Sequence, residues 1–272
     1  MNKTILITGC SSGIGRATAK YFQEKGWNVI ATIRTNPVED TELYNLKNVL
    51  VSELDVTKQE TIQKTVKTGI EKFGKIDVLL NNAGYGSYGL LEATSEEKIR
   101  RQMEVNVIGP LMVIKELLPH FRKNKAGIIL NVSSMGGKIT FPLGTLYHGS
   151  KFAVEGMSEA LSYELEAIGV KVKLIEPGVI NTNFATSSFD LNLNENLEEY
   201  QKFTQKILTA FGNMGTISSE AELVAETIYN AAIDKSDQIR FVVGKDAEQL
   251  VEARKQMDDS TYLTMMKSQF EL

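Results

Sequence analysis

The chain has 272 residues, enough for one sizeable α/β domain. Its formal net charge is −4, and basic and acidic residues are interspersed, which argues against a nucleic-acid surface with its basic stripe. The single cysteine, Cys10, cannot form an internal disulfide, and no apolar run approaches the ~18 residues of a membrane span. The N-terminus leads directly into a strand pattern, so we expect no signal peptide and a soluble, cytoplasmic protein.

Short β-branched runs alternate with longer helical patterns, which predicts parallel βαβ units. The run at 128–130 is apolar on both faces, as in a sheet that helices cover on both sides. We predict one α/β domain over residues 1–272, with a doubly wound, mostly parallel sheet of the Rossmann type. The predicted strands span 4–8, 29–33, 49–54, 78–81, 127–132, 170–176 and 240–243. The predicted helices lie near 14–25, 58–73, 96–122, 148–168 and 220–234.

Residues 179–218 interrupt this alternation, since they show no strand pattern before the next helix. A polar stretch at 186–196 is followed by apolar residues at helical spacing. Such a long excursion is more often a functional lid than an ordinary connection. We therefore predict a helical substrate lid at 184–214; the alternative is a helix that packs permanently on the domain. The apolar face consists of Leu197, Tyr200, Phe203 or Thr204, Ile207, Leu208 and Phe211.

A glycine-rich loop, G-x-x-x-G-x-G, follows the first predicted strand and opens the first helix. Its glycines are Gly9, Gly13 and Gly15. Small residues let the chain turn tightly and present backbone N–H groups to a pyrophosphate at the positive end of the helix. An ordinary turn between strand and helix is the alternative, but the position in the chain favours dinucleotide binding.

Further motifs follow in a fixed order, and together they carry a family resemblance. Asp55 and Val56 follow the third strand, N-N-A-G ends the fourth at 81–84, and P-G-x-x-x-T spans 177–182. Y-x-x-x-K joins Tyr147 to Lys151, thirteen residues after Ser134. Over residues 3–243 the chain resembles the short-chain dehydrogenase/reductase family, nearest to its hydroxysteroid- and retinol-type NADP-using members. The resemblance implies cofactor contacts from Gly9, Ser11, Ser12, Gly13, Ile14, Arg34, Asp55, Val56, Asn82, Ala83, Gly84, Tyr147, Lys151, Pro177, Gly178, Ile180 and Thr182.

The predicted reaction centre contains Tyr147, Lys151, Ser134 and Asn106. Tyr147 and Lys151 are four residues apart and share a helix face, so the ammonium favours the phenolate of a tyrosine that is otherwise a poor base. Ser134 would donate a hydrogen bond to the substrate oxygen. Its neighbour Ser133 points to the opposite face of the strand, and the spacing to Tyr147 selects Ser134. By resemblance, Asn106 holds a water that links the lysine to solvent; a structural core amide is the alternative.

Cofactor choice depends on the end of the second strand, where Arg34 lies between Ile33 and Thr35 without a carboxylate. An acidic residue there would bind the ribose 2′-hydroxyl of NAD, whereas an arginine can pair with the 2′-phosphate of NADP. A solvated surface arginine is the alternative. Many NADP-using relatives have a second basic residue where this chain has Ser12. NADP(H) is therefore favoured, with NAD(H) possible.

We predict an oxidoreductase that moves a hydride between NADP(H) and a bulky apolar ketone or secondary alcohol. Segments 85–89 and 177–184 resemble those of relatives with such substrates. One alternative is a 3-oxoacyl thioester reductase, but no basic patch that would receive a carrier protein is evident. Another is a nucleotide-sensing protein without catalysis, which would be expected to have lost Tyr147 or Lys151.

We expect no metal site, because His120 and His148 lie far apart without neighbouring ligands. We expect a small-molecule substrate and no nucleic-acid partner. The family commonly forms dimers or tetramers through helices like those at 96–122 and 148–168, so we expect a homodimer or homotetramer. The apolar residues that would fit a partner on the second helix are Ala160, Leu161, Leu165 and Ile168.

Overall fold

A computed structural model describes residues 2–35, 41–182, 188–214 and 218–272. Seven parallel strands form one sheet in the order β3-β2-β1-β4-β6-β7-β11, which confirms the predicted doubly wound fold. All seven predicted strands are present, each within two residues of its expected ends. The sheet strands are β1 (Thr4–Ile7), β2 (Asn28–Ile33), β3 (Val49–Glu53), β4 (Val78–Asn81), β6 (Gly127–Val132), β7 (Val170–Pro177) and β11 (Arg240–Val243).

Helices cover both faces of this sheet, because successive apolar residues of each central strand point to opposite sides. Ile5 and Ile7 pack with Phe22 and Ile228 on one face, while Leu6 packs with helices of the other face. The described helices are α1 (Gly13–Glu24), α2 (Thr41–Tyr44), α3 (Gln59–Phe73), α4 (Glu96–Met103), α5 (Gly109–Asn124), α6 (Thr145–Glu166), α7 (Glu198–Met214), α8 (Ala221–Ile233), α9 (Lys245–Gln256) and α10 (Asp259–Gln269). No helix of the described ranges is long and apolar enough to cross a membrane.

The stripe expected to face a partner subunit belongs mostly to the protein's own core. Leu165 is buried, and Leu161 and Ile168 pack beside it against the core on the α3 and α5 side of the sheet. Ala160 alone of the four residues is exposed. Leu165 thus covers the core beside β6 and β7, while a partner contact of the half-buried Leu161 and Ile168 stays a prediction.

Segment 179–218 contains strands that the sequence did not predict. Strand β9 (Phe189–Asn192) pairs in parallel with β5 (Gly86–Gly89). Strand β8 (Ile180–Asn181) pairs in parallel with β10 (Ser219–Glu220). These strands have two to four residues, too few for an alternating pattern to emerge. Residues 184–187 of the expected lid lie outside the described ranges.

A third apolar cluster lies beside the carboxyl end of the sheet. It joins α7, through the fully buried Ile207, to the last two helices, through Val251 and Met266. Leu90 and Met135, which follow β5 and β6, complete its inner side. This cluster holds α7 next to the segments that carry the predicted reaction centre.

Candidate active site

A cavity of about 1190 Å³ opens at the carboxyl ends of the parallel strands. It lies where β1 and β4 are neighbours, the point at which the strand order reverses and at which ligands of such sheets bind. Every residue that the sequence assigned to the cofactor lines this cavity, from Gly9 to Thr182, and so do Ser134, Tyr147 and Lys151. Asn106 is not part of the lining.

The glycine loop after β1 is shaped by close backbone contacts. Gly9 and Gly13 have φ angles of +76° and +56°, which residues other than glycine rarely adopt. A Cβ at Gly15 would lie 2.2 Å from the carbonyl oxygen of Gly9. Asn82 Nδ2 donates to the carbonyl oxygens of Thr8 and Gly9 at 2.9 and 3.0 Å, which ties the loop to the end of β4.

The N-terminus of α1 points into the cavity without a side-chain cap. Ser12 is its N-cap residue, and its hydroxyl accepts no hydrogen bond from the helix. The first N–H groups of a helix lack intrahelical partners and attract anions. The open loop and the uncapped helix therefore fit the pyrophosphate of a dinucleotide.

Arg34 and Asp55, which also line the cavity, differ in their contacts with the rest of the protein. The side chain of Arg34 is exposed and forms no ion pair within the described part of the chain. Asp55 Oδ1 accepts hydrogen bonds from the backbone N–H and the hydroxyl of Thr57, at 3.0 and 2.7 Å. One oxygen of the Asp55 carboxylate thus shapes the turn before α3 and is already occupied.

Ser134 and Tyr147 place two hydroxyl groups together on the cavity wall. Burial raises the pKa of Tyr147, and a hydrogen bond with the Ser134 hydroxyl acts in the opposite direction. Ser134 Oγ also accepts a hydrogen bond from the backbone N–H of Gly136 at 3.0 Å. The hydroxyl of Ser133 lies instead beside Gly137 and Glu155. A Cβ added to Gly137 would be 2.6 Å from Ser133 Oγ and 2.9 Å from Glu155 Cγ.

Lys151 lies one helical turn after Tyr147 and is buried. Its Nζ donates a hydrogen bond to the carbonyl oxygen of Val132 at 2.8 Å and lies 5.8 Å from the centroid of the Tyr147 ring. Burial lowers the pKa of Lys151 to about 8, although Glu155 acts in the opposite direction. The side chain therefore stays largely protonated at pH 7 beside the phenol.

Asn106 lies in a π-helical turn, Glu104–Ile108, which joins α4 to α5. Its Nδ2 donates to the carbonyl oxygen of Tyr85 and to Ser150 Oγ at 2.9 and 3.1 Å, and its Oδ1 accepts from the N–H of Tyr85. The side chain thus fixes the segment after N-N-A-G against α6. These contacts give the side chain a structural role, and its expected part in the reaction stays a prediction.

An aromatic group lies beside Tyr147; Tyr88 and Phe189 were not among the predicted site residues, whereas Phe211 belongs to the apolar face of the predicted lid. The ring of Tyr88 stacks between Tyr147 and Phe189, with centroid distances of 5.3 and 4.9 Å. The edge of the Phe211 ring meets it at 6.0 Å. Tyr88 lies on β5, so the short sheet with β9 sets the position of this aromatic wall. The repeated glycine and tyrosine of residues 84–89 were the available signal.

His148 supports the loop that carries Ser134. Its Nε2 accepts a hydrogen bond from the N–H of Phe141 at 2.9 Å, and its Nδ1 pairs with the carbonyl oxygen of Gly136 at 2.9 Å. Burial lowers the pKa of His148, which favours the neutral ring that this pattern requires. Within the described residues no cluster of histidine, cysteine or carboxylate side chains could hold a metal.

Two basic side chains line the mouth of the cavity, which the sequence did not predict. Lys98 Nζ forms an ion pair with Asp190 at 2.9 Å and also contacts Asn192. The guanidinium of Arg101 lies 5.8 Å from the centroid of the Tyr85 ring. The ion pair neutralises Lys98, so these residues do not form an extended basic patch.

A buried group of charges lies behind Lys151, away from the cavity. Glu155 and Glu176 are 4% and 1% exposed, and Arg240 Nε lies 2.9 Å from Glu155 Oε2 and 3.4 Å from Glu176 Oε1. Arg240 also pairs with Glu159 at 2.6 Å. Burial and the Glu155 carboxylate raise the pKa of Glu176 to about 7. Arg240 is thus shared among three carboxylates, so ionisation of the buried Glu176 is unfavourable.

Comparisons with known proteins agree with this geometry. The short chain dehydrogenase family model matches residues 3–193. An oxidoreductase of Schizosaccharomyces pombe is 44% identical over 230 residues, covering 85% of this chain and 96% of that protein. A 3-ketodihydrosphingosine reductase of Bacteroides thetaiotaomicron is 41% identical, covering 72% and 71%. The crystal structure of a short-chain dehydrogenase from Streptomyces avermitilis superposes with a TM-score of 0.82 at 30% identity, covering 97% and 96%. The chain is thus an oxidoreductase that belongs to the short-chain dehydrogenase family.

Proposed function

We propose that the protein is an NADP(H)-dependent reductase of apolar ketones, with the matching secondary alcohols as products. The single observation that carries this is the placement of Ser134, Tyr147 and Lys151 on the wall of the cavity that the glycine loop also lines. NADPH supplies the hydride when bound. The protein must then position the carbonyl and deliver one proton to its oxygen.

Tyr147 would donate that proton. Burial keeps its phenol protonated at neutral pH, which is the state that reduction requires. Ser134 would donate a hydrogen bond to the same oxygen and stabilise the negative charge that develops there. The ammonium of Lys151 lowers the cost of the phenolate that remains after transfer. The proton lost by Tyr147 is regained from solvent, which completes the balance.

The preference for NADP(H) rests on Arg34. It follows β2, where the adenosine ribose binds in sheets of this kind, and its guanidinium is exposed at the cavity edge. The positions on either side of Arg34 hold Ile33 and Thr35, so neither neighbour carries a carboxylate that would repel a 2′-phosphate.

The apolar substrate is inferred from the wall opposite the glycine loop. Tyr88, Phe141, Phe189, Leu208 and Phe211 line this part of the cavity. Pockets with such walls bind ligands mainly by apolar contact and fix them with a few polar groups. A relative named as a ketone reductase agrees with this choice.

We retain the lid as part of this proposal. Ile207 anchors α7 to the third apolar cluster, while Leu208 and Phe211 face the cavity. Movement of 184–214 would exclude water during hydride transfer. Assembly as a homodimer or homotetramer also remains a proposal, now through exposed residues of α6 such as Phe152 and Tyr163.

The experiment is a panel of carbonyl compounds assayed with NADPH and with NADH, for the natural chain and for Tyr147→Phe. The substitution removes the proton donor and leaves the glycine loop untouched. We expect turnover to fall by at least about a hundredfold, the low end for general acid–base catalysis, with NADPH binding retained. Activity above a tenth of the natural rate would refute the role of Tyr147.

A further inference from the structure

A second cavity of about 460 Å³ lies along the outer part of α7, beyond the proposed reaction site. We call it the outer groove. It is open to solvent on one side and has Leu90 among its buried lining residues. Leu208 lines both the outer groove and the active-site cavity, so the two spaces meet at this side chain. The other lining residues are Leu193, Asn194, Glu195, Leu197, Tyr200, Gln201, Thr204, Gln205 and Thr209.

One face of α7 connects the two spaces. Leu197 directly precedes α7, and Gln201, Thr204 and Leu208 follow it at intervals of three or four residues; Phe211 continues the row into the active-site cavity. At a rise of 1.5 Å per residue, the row from Leu197 to Leu208 is about 16 Å long. The outer groove therefore extends along α7 to the residue that also lines the active-site cavity.

The adjacent face of α7 holds the helix in place. Phe203, Ile207 and Ala210 pack into the third apolar cluster, and Ile207 is fully buried. A packed face of this kind fixes the rotation of the helix about its axis. When α7 is packed on this cluster, the row therefore faces the outer groove.

The lining leaves apolar carbon in contact with solvent. Leu193 is 40% exposed and Tyr200 38% exposed, and Leu191 nearby is 38% exposed. Glu195 is the one charged residue among the groove's described lining residues.

We propose that the outer groove binds the unbranched alkyl tail of the substrate, whose carbonyl lies at Ser134 and Tyr147. The position of Leu208 between the two spaces favours the tail of the same molecule over a separate partner. A row of lining residues about 16 Å long suits a linear chain better than a fused ring system, and the scarcity of charge suits methylene groups. This inference rests on the proposed ketone reductase activity and makes its substrate a long-chain ketone.

The test uses a homologous series of linear methyl ketones, assayed with NADPH. Burying a full methylene is worth about a fourfold gain in binding, and the groove is open on one side, so we expect roughly a twofold rise in kcat/KM per added methylene. The rise should extend over the carbons that pass Leu208 and then level off. A kcat/KM that does not depend on tail length would overturn the proposal.

Thr204→Trp fills the outer groove without touching the active-site cavity. Short ketones should react as in the natural chain, while the gain from longer tails should disappear. Thr227→Trp is the matched control: both threonines lie mid-helix, are partly exposed and donate to the carbonyl oxygen four residues earlier, at 3.0 Å. If both variants keep the dependence on tail length, the tail binds elsewhere and the inference is wrong.

A binding measurement separates this inference from the proposed reaction. The affinity of the ketone series for Tyr147→Phe with NADPH bound, measured by calorimetry, should rise with tail length. It should not rise in the double variant Tyr147→Phe with Thr204→Trp. A rising affinity without turnover of any ketone by the natural chain would refute the reaction and support the groove. Turnover of ketones without any dependence of affinity on tail length would support the reaction and refute the groove.

Discussion

Replacing Glu176 with glutamine should stabilise the protein at alkaline pH and change its stability little near pH 5. Glu176 is 1% exposed, and its Oε1 accepts no hydrogen bond from the described part of the chain. Arg240 is shared with Glu155 and Glu159, while Lys138 lowers the pKa of Glu176 and Glu155 raises it. Ionising the buried carboxyl therefore costs free energy that a neutral amide avoids.

The sign and size of this change in stability follow from the linkage between proton binding and folding. The pKa of Glu176 is raised from an ordinary value of 4.5 to about 7 in the folded protein. Between these values the unfolded chain loses its proton first, so the free energy of unfolding falls as pH rises and levels off above pH 7. At 1.36 kcal/mol per pKa unit, the difference between Glu176→Gln and the natural chain should grow by up to about 2.5 kcal/mol from pH 5 to 8.5. In a chain of this size that is roughly 5 °C in Tm.

The assay is thermal or urea unfolding of both proteins at several pH values across this range. Glu159→Gln is the matched control, because it removes a carboxylate from the same arginine but at an exposed position. Arg240 lowers the pKa of Glu159, so that residue is ionised in both states above pH 5 and its removal should add no pH dependence over this range. If the two variants differ from the natural chain by the same amount at every pH, the buried pair holds no extra proton.

Three further predictions concern the reaction. Arg34→Ala should weaken NADPH binding by roughly 1.5–3 kcal/mol and leave NADH nearly unchanged, and Ile33→Asp should shift the preference towards NADH; equal losses for both cofactors on Arg34→Ala would show that this arginine does not contact the 2′-phosphate. The kcat/KM for reduction should fall above pH 8, as Lys151 loses the proton held at a pKa of about 8 and its charge no longer assists Tyr147; a profile that stays flat two units higher would contradict this. Amide hydrogens of 184–214 should exchange quickly in the free protein and gain protection with NADPH and ketone together, whereas uniformly slow exchange without ligand would leave only a fixed wall.

The sheet was predictable because each strand carries its own signal. The run at 128–130 is apolar on both faces and begins with two β-branched residues, and tertiary contacts only reinforce that preference. The same holds for the glycine loop, where a strand, a tight turn and a helix N-terminus occur in consecutive residues. In these segments local pattern and global fold agree.

The rest depends on contacts between residues far apart in the chain. Phe189 pairs with Gly86 across about a hundred positions, and no local pattern in either segment indicates the other. Leu165 could face a partner or the core with the same helical spacing, so periodicity alone could not decide. Glu155 and Glu176 come from a helix and a strand, and their shared arginine from a third segment, so the buried charges emerge only in three dimensions.

The π-helical turn at Glu104–Ile108 constrains the length of the chain as well as its composition. It contains one residue more than an α-helical turn would, and each residue rotates a helix by about 100°. The widened turn absorbs the rotation that an extra residue would otherwise cause, so Val113 and Phe121 keep their places in the core. Deleting that residue would restore an ordinary α-helical turn, but it would move Asn106 away from Tyr85 and Ser150. We therefore expect natural variants of this chain to keep Asn106 and the spacing between Tyr85 and Val113.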